Sequence, residues 1–248
     1  IKAAKFGKHI LCEKSAVLSY NSAKKVIKKC NTNDVKIMEN FVFKSHPQHK
    51  KISDIITKNT IGRIHTFNGK FGFNLPISTQ NFRFNIKSGG GALNDVGCYL
   101  VSASTMIFKD LPVSIFCNLE INKKLKIDSQ GNIIMLFPNN KTAMISFGYD
   151  NYFQSTYEIW GSKGMIKSER AFNVPPKMEI PLKLYSKDKI KNFIIKPVNQ
   201  FQLTIENFCN GLNPKVISNF EKDFLEQALI MDGVRKSSVK NSIIHIKN

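Results

Sequence analysis

Apolar positions in the first quarter of the chain come as short runs alternating with stretches of helical spacing. Residues 1–6 fit the last turn of a helix closed by Gly7 at the C′ position. His9-Ile10-Leu11-Cys12 is an apolar run suited to a buried strand, followed at once by Glu13-Lys14-Ser15. Ser19 or Asn21 can cap a helix that turns Ala23, Val26 and Ile27 inward and ends near Cys30. Val35-Lys36-Ile37-Met38 reads as a second strand, and 47–58 as a helix with Ile52, Ile55 and Ile56 on its buried side. Strand, helix, strand, helix is the grammar of an α/β unit with a parallel sheet.

The pattern then changes, at a boundary expected near residues 39–62. Ile61 to Phe73 alternates apolar and polar residues like a long strand, and a helix is expected from Ala92 to about Phe108, after Gly89-Gly90-Gly91. Between Val113 and Ile195 lie five to seven strand-like runs, among them 113–121, 131–137, 142–149, 153–160 and 179–185. Their separation by Asn, Gly, Lys and Pro turns predicts a large, mostly antiparallel sheet. Helices over 199–211 and 219–238 close the chain. The expected class is therefore α/β plus α+β, with helices on one face of the large sheet and the other face left to pair with a second subunit.

Composition narrows the class. In 248 residues, 42% are hydrophobic and 22% charged, which excludes a disordered or fibrous chain. No apolar stretch is long enough for a transmembrane helix, and the first residues, Ile1-Lys2-Ala3-Ala4-Lys5, lack the apolar segment of a signal peptide. The net charge of +19 would attract phosphates or nucleic acid. Yet only Arg63, Arg83, Arg170 and Arg235 are arginines, and the lysines are spread along the chain with a general excess of Ile, Asn and Phe. That is the imprint of an A/T-rich coding sequence, and a nucleic-acid site would need clustered Arg/Lys with interleaved aromatics. Cys12, Cys30, Cys98, Cys117 and Cys209 are odd in number and include no C-x-x-C pair. They suggest neither a disulfide framework nor a zinc site, and a reducing, cytoplasmic compartment fits them best.

Three segments can carry chemistry. Gly7 to Ser15 runs a strand straight into Glu13-Lys14, and ligands of open α/β sheets bind beyond the carboxyl ends of strands. A lone Glu-Lys is equally a solvated charge pair. Gly89 to Tyr99 is a glycine-rich turn opening a helix on which Asp95 and Tyr99, four apart, share a face. A tight turn plus a bonded Tyr would look the same. Glu39 to Gln48 crosses from strand to helix and holds His46, although a lone His is often a satisfied structural residue. No histidines share metal-ligand spacing, so no metal is expected.

To these segments the sequence adds Ile61-Gly62-Arg63-Ile64, Asn81-Phe82-Arg83, and Glu158-Ile159-Trp160-Gly161-Ser162-Lys163-Gly164. Taken together and in this order they resemble the Gfo/Idh/MocA family of NAD(P)-dependent oxidoreductases, over the whole chain. The resemblance implies a truncated Rossmann-type dinucleotide-binding part over residues 1–40. It further implies a substrate-binding and dimerisation domain over 41–248, with a C-terminal helix able to return to the first part. The implied reaction moves a hydride between NAD or NADP and a hydroxyl or carbonyl of a sugar, cyclitol, nucleotide sugar or dihydrodiol. The implied catalytic residues are Lys14, Tyr99 and Asp95. Glu13, Lys14 and Arg83 would contact the cofactor, and His46, Asp95 and Tyr99 the substrate. A Lys14 cation near Tyr99 is expected to favour its phenolate.

Two departures accompany the resemblance. Ser15 stands where the family has Pro, and Lys44 where it often has Arg. The family also has roughly 90 residues with a G-x-G-x-x-G turn before the Glu-Lys strand, and these are not in this sequence. An N-terminally truncated form is thus implied, with a non-catalytic sugar-binding or dimerising domain of the same fold as the alternative.

Overall fold

The structure, a computed structural model, describes residues 1–78, 80–187 and 189–246. A short helix α1 (Lys2–Lys5) precedes strand β1 (Ile10–Glu13), helix α2 (Tyr20–Thr32) and strand β2 (Ile37–Asn40). Ser19 caps α2, its hydroxyl accepting the Ser22 amide. β1 and β2 pair in parallel, with Cys12 opposite Glu39 and Glu13 opposite Asn40. After helix α3 (Pro47–Thr57) come strand β3 (Ile64–Gly72) and helix α4 (Cys98–Phe108). Seven strands follow: β4 (Ser114–Asn122), β5 (Ile127–Phe137), β6 (Lys141–Gly148), β7 (Gln154–Gly161), β8 (Gly164–Ser168), β9 (Ile180–Ser186) and β10 (Lys189–Ile195). Helices α5 (Gln200–Gly211) and α6 (Phe220–Lys240) and the short strand β11 (Ile244–His245) complete the chain.

The large sheet has nine strands in the order β10-β9-β8-β7-β3-β6-β5-β4-β11. Only β3 and β6 pair in parallel; every other ladder is antiparallel. This is the small parallel sheet followed by a large, mostly antiparallel one that the period of the apolar residues predicts. The inward residues of the central strands, Phe67, Phe71, Ile133, Met135, Ala143, Ile145, Tyr157 and Ile159, form one core with α4. Their neighbours on the opposite face, including Ile134, Leu136, Met144 and Trp160, are exposed.

Helix α6 joins the two sheets. Its Phe224 and Ala228 pack with Ala23, Ile27, Cys30 and Ile37 of the small sheet. Its Ile230, Met231 and Val234 enter the core of the large one. A single helix with apolar residues on two sides thus fixes the end of β1 against the start of α4, where the cleft lies.

One local expectation is corrected. The segment after the three glycines does not open as a plain α-helix: Leu93–Gly97 is a π turn, and α-helix begins only at Cys98. Gly91 sits at φ +118°, and a Cβ there would lie 2.2 Å from the Asp128 carboxylate. That carboxylate instead accepts the Leu93 amide, capping the turn.

Candidate active site

A cleft of about 550 Å³ opens between the loop after β1, the segment 82–91 and the π turn. Lys14, Ser15, Arg83, Gly89, Asn94 and Asp95 are among its walls. Parallel pairing with β2 delivers Glu13 and Lys14 to the carboxyl end of β1, and the Lys14–Ser15 peptide bond is cis. From there the Lys14 ammonium donates to the Asp95 carbonyl at 2.6 Å and to its carboxylate at 2.9 Å. The other carboxylate oxygen of Asp95 accepts from Arg83 Nε at 2.7 Å. Asp95 is therefore clamped between two cations, with its side chain only 12% exposed. Burial alone would raise its pKa, but Lys14 and Arg83 together outweigh that and hold the carboxyl below its usual range.

Tyr99, one turn further on, is half-buried in a cage of Phe41, Phe43, Phe71 and Phe172. The Lys14 ammonium stands 4.9 Å from the centre of the Tyr99 ring. The expectation of a phenolate is corrected here. Burial pushes the Tyr99 pKa up, Asp95 and Glu13 add to it, and Arg83 acts against them. Burial therefore favours the phenol form of Tyr99, which can give a proton.

The remaining expected residues separate. Arg83 is in the wall, stacked at 4.8 Å on the exposed ring of Phe82. The Glu13 carboxylate is exposed at the end of β1 and accepts from Asn40 Nδ2 at 2.6 Å. His46 is not in the cleft, which corrects its placement with the substrate. It is 1% exposed and is the N-cap of α3, its Nδ1 accepting the Gln48 amide at 3.3 Å. Burial lowers its pKa to about 4, so it is a neutral structural ring. The sequence carried the signal, since a polar residue followed by Pro is the signature of a helix start.

Two residues were not anticipated. Tyr149, just beyond β6, lines the cleft with a fully buried hydroxyl that has no partner among the described residues. Burial raises its pKa, so it too stays protonated. Asn94 joins neighbouring elements: its Oδ1 accepts from Arg235 of α6, and its carbonyl accepts from Ser15 Oγ at 3.2 Å. Among the described residues no group of three His, Cys, Asp or Glu side chains could hold a metal ion.

Comparison with known proteins defines the class. Residues 49–167 match the model of the GFO/IDH/MocA C-terminal domain. A dTDP-3,4-didehydro-2,6-dideoxy-alpha-D-glucose 3-reductase from Actinomadura kijaniata is 27% identical over 239 residues, which are 94% of this chain and 70% of that protein. A trans-1,2-dihydrobenzene-1,2-diol dehydrogenase from Xenopus laevis is 25% identical over 234 residues, 94% of this chain and 66% of that protein. Among solved structures, KijD10, a 3-ketoreductase from Actinomadura kijaniata in complex with NADP and TDP-benzene, superposes with a TM-score of 0.89 at 27% identity. The superposition covers 95% of this chain and 73% of KijD10. Residues 49–167 thus carry a GFO/IDH/MocA C-terminal domain, and nearly the whole chain is similar to oxidoreductases that act on sugar-like substrates.

Proposed function

We propose that Lys14, Asp95 and Tyr99 carry the proton side of the reaction of this oxidoreductase, which acts with NAD(P) on a hydroxyl or carbonyl group of a sugar-like substrate. The observation that carries the reading is the junction itself. An ammonium from the end of β1, in the wall of the cleft, is fixed on Asp95 and lies over the ring of Tyr99 behind it. Solved variants of KijD10 have one lysine and one tyrosine substituted, and their separation is within one residue of that between Lys14 and Tyr99. This supports equivalent roles here.

The cleft residues fit the nicotinamide end of a dinucleotide. Lys14, Arg83 and Lys87 bring cations to its walls, and the exposed Phe82 ring offers a flat face. Glu13, Lys14 and Arg83 would hold that end, and the bound nicotinamide supplies or accepts the hydride. In reduction, an oxyanion forms on the substrate as the carbonyl carbon gains hydride. The Tyr99 hydroxyl gives it a proton, and the Lys14 ammonium stabilises the charge before that proton arrives. Oxidation is the reverse, and it requires Tyr99 first to release its proton so that the phenolate can take that of the substrate hydroxyl. Asp95 orients Lys14 and can accept a hydrogen bond from a neighbouring substrate hydroxyl. We assign residues 1–40 to the cofactor side and 41–248 to the substrate side, with α6 shared.

The finer substrate reading is a nucleotide-linked keto sugar, supported by Arg83 and Lys87 at the mouth for its phosphates and by the named substrate of the Actinomadura reductase. The protein is placed in the reducing cytoplasm, in keeping with five free cysteines. No helix is long and apolar enough to cross a membrane among the described residues. A homodimer through the exposed sheet face completes the proposal.

The test is Tyr99→Phe and Lys14→Ala in the full-length enzyme. Each is expected to lower kcat by about 10²-fold or more, with cofactor affinity nearly unchanged for Tyr99→Phe. A fully active Tyr99→Phe variant overturns the assignment of proton transfer.

A further inference from the structure

The loop that carries Lys14 is braced from behind by the last two residues of β2. The Glu39 carboxylate accepts the Ala16 amide at 2.8 Å, and Asn40 donates to Glu13 at 2.6 Å. Lys14 is therefore flanked on both sides, at Glu13 and at Ala16, by residues tied to adjacent positions of one strand. On the cleft side the same loop is held by Ser15 to Asn94 and by Lys14 to Asp95. Of the carboxylates in this set, Asp95 holds the cleft's cations directly, whereas Glu39 acts on the loop through the Ala16 amide.

The surroundings of Glu39 give its charge a purpose. Lys14 and Cys12 face it from β1 and the loop beyond, Lys44 from the turn after β2, Cys98 from α4 and Arg235 from α6. Asp223 at the start of α6 shares a small pocket with it, together with Gln227 and Asn207 of α5. The Ala16 amide thus bonds directly to a partly buried carboxylate that no step of the reaction uses, with the charges of Lys44, Lys14 and Arg235 acting on it from a distance.

We propose that Glu39 is a positioning residue for Lys14: its carboxylate fixes the Ser15-Ala16 turn that aims the ammonium at Asp95, and protonation of Glu39 releases that turn. The inference rests on the reading of Lys14 as catalytic. Burial pushes the Glu39 pKa up to about 7, against the amide of Ala16 and the charges of Lys44, Lys14 and Arg235. The turn therefore tightens as pH rises through neutrality. A neutral carboxyl offers the amide a weaker acceptor and carries a proton that has no acceptor among the contacts described.

The experiment uses the full-length enzyme with its cofactor and reads two quantities from about pH 6 to about pH 8. The first is kcat/KM, expected to rise about tenfold with a midpoint near 7 in the native protein and to lose that limb in Glu39→Gln. The second is the amide resonance of Ala16, expected to titrate with the same midpoint in the native protein and to be flat in the variant. The native titration needs no substitution, so a poorly folded variant does not leave the proposal untested. A native Ala16 amide that does not titrate near neutrality overturns it, and so does an acid limb that persists in Glu39→Gln. An active Lys14→Ala enzyme instead overturns the reading of the site on which the inference rests.

Discussion

The Lys14 ammonium holds two oxygens of Asp95, the main-chain carbonyl at 2.6 Å and the carboxylate at 2.9 Å, across 81 residues of sequence. This contact joins the end of a parallel strand to the π turn that opens α4, so each sheet depends on the other for the site. The neighbouring ring is kept in its phenol form chiefly by burial. Asp95 adds to that effect, so the side chain that fixes Lys14 also disfavours the phenolate. A phenol held beside a cation is set up to quench an alkoxide.

Asp95→Asn leaves Lys14 and Arg83 side by side with no anion between them. We expect a loss of about 3 kcal/mol at neutral pH, because removing one partner of a buried ion pair strands the other charges. The folded-state pKa of Asp95 lies below its unfolded value. Its contribution is therefore complete above the unfolded value of about 4 and disappears as pH falls through the folded one. Calorimetric melting of native and variant proteins should show a gap that is constant from about pH 8 to about pH 5 and closes below about pH 4. A gap that stayed open in acid would mean that the carboxylate charge is not what Asp95 contributes.

Much of the architecture is legible in the sequence because period and punctuation are local. Ser19 capping α2, Gly7 closing α1 and the alternation in β5 and β6 follow from residues a few positions apart. The resemblance to a known family named Lys14, Asp95 and Tyr99 as a set. What local pattern could not give is how they are arranged. The clamp on Asp95 is a contact between distant segments, and the π turn at Leu93–Gly97 depends on Asp128, which β5 brings to Gly91. His46 followed Pro47 and Gln48 into a helix cap, where family analogy had pointed to the substrate. Tyr149 carried no signal at all, since a single Tyr after a strand looks like any edge of a core.

Tyr149→Phe removes a buried hydroxyl that has no protein partner among the described residues. Leaving such a group unsatisfied costs about 1–3 kcal/mol, so deleting it should leave stability unchanged or raise it by about 1 kcal/mol. Tyr149 lines the cleft and its hydroxyl faces Asp95, so we expect the substrate KM to rise about tenfold while kcat changes little. Chemical denaturation and steady-state kinetics on one preparation check both. A destabilised variant with native KM would make the hydroxyl a structural group.

The exposed face of the large sheet carries apolar residues on β5 and β6 and, beyond the polar Thr66 and Asn68 of β3, on β7. Ile134 of β5 is in register with Met144 of β6, and Leu136 precedes the turn between them. Trp160 of β7, paired with Thr66 of β3 and Met165 of β8, is 63% exposed. Large apolar residues exposed on one sheet face suit an interface, and a homodimer is the partner proposed here. Trp160→Lys combined with Ile134→Lys should convert the dimer to a folded monomer in sedimentation equilibrium, raising the dissociation constant about 10²-fold or more. A native protein that sediments as a monomer at micromolar concentration would refute the interface.

Glu39 also sets a cost in stability that can be measured apart from any role in turnover. Its folded-state pKa of about 7 lies above the unfolded value. Between about 4.3, the unfolded value, and the folded one, the folded chain keeps a proton that the unfolded chain releases. Stability therefore falls as pH rises through that window and levels off above it. Glu39→Gln keeps an acceptor for the Ala16 amide but never ionises, so it escapes the penalty. We expect it to melt with the native protein near pH 5 and about 4–8 °C above it at pH 8, on the order of 2 kcal/mol. The same substitution should thus stabilise the fold at the pH where it deprives Lys14 of its charged brace. Equal melting temperatures at both pH values would show that Glu39 ionises freely and that its carboxylate costs the fold nothing.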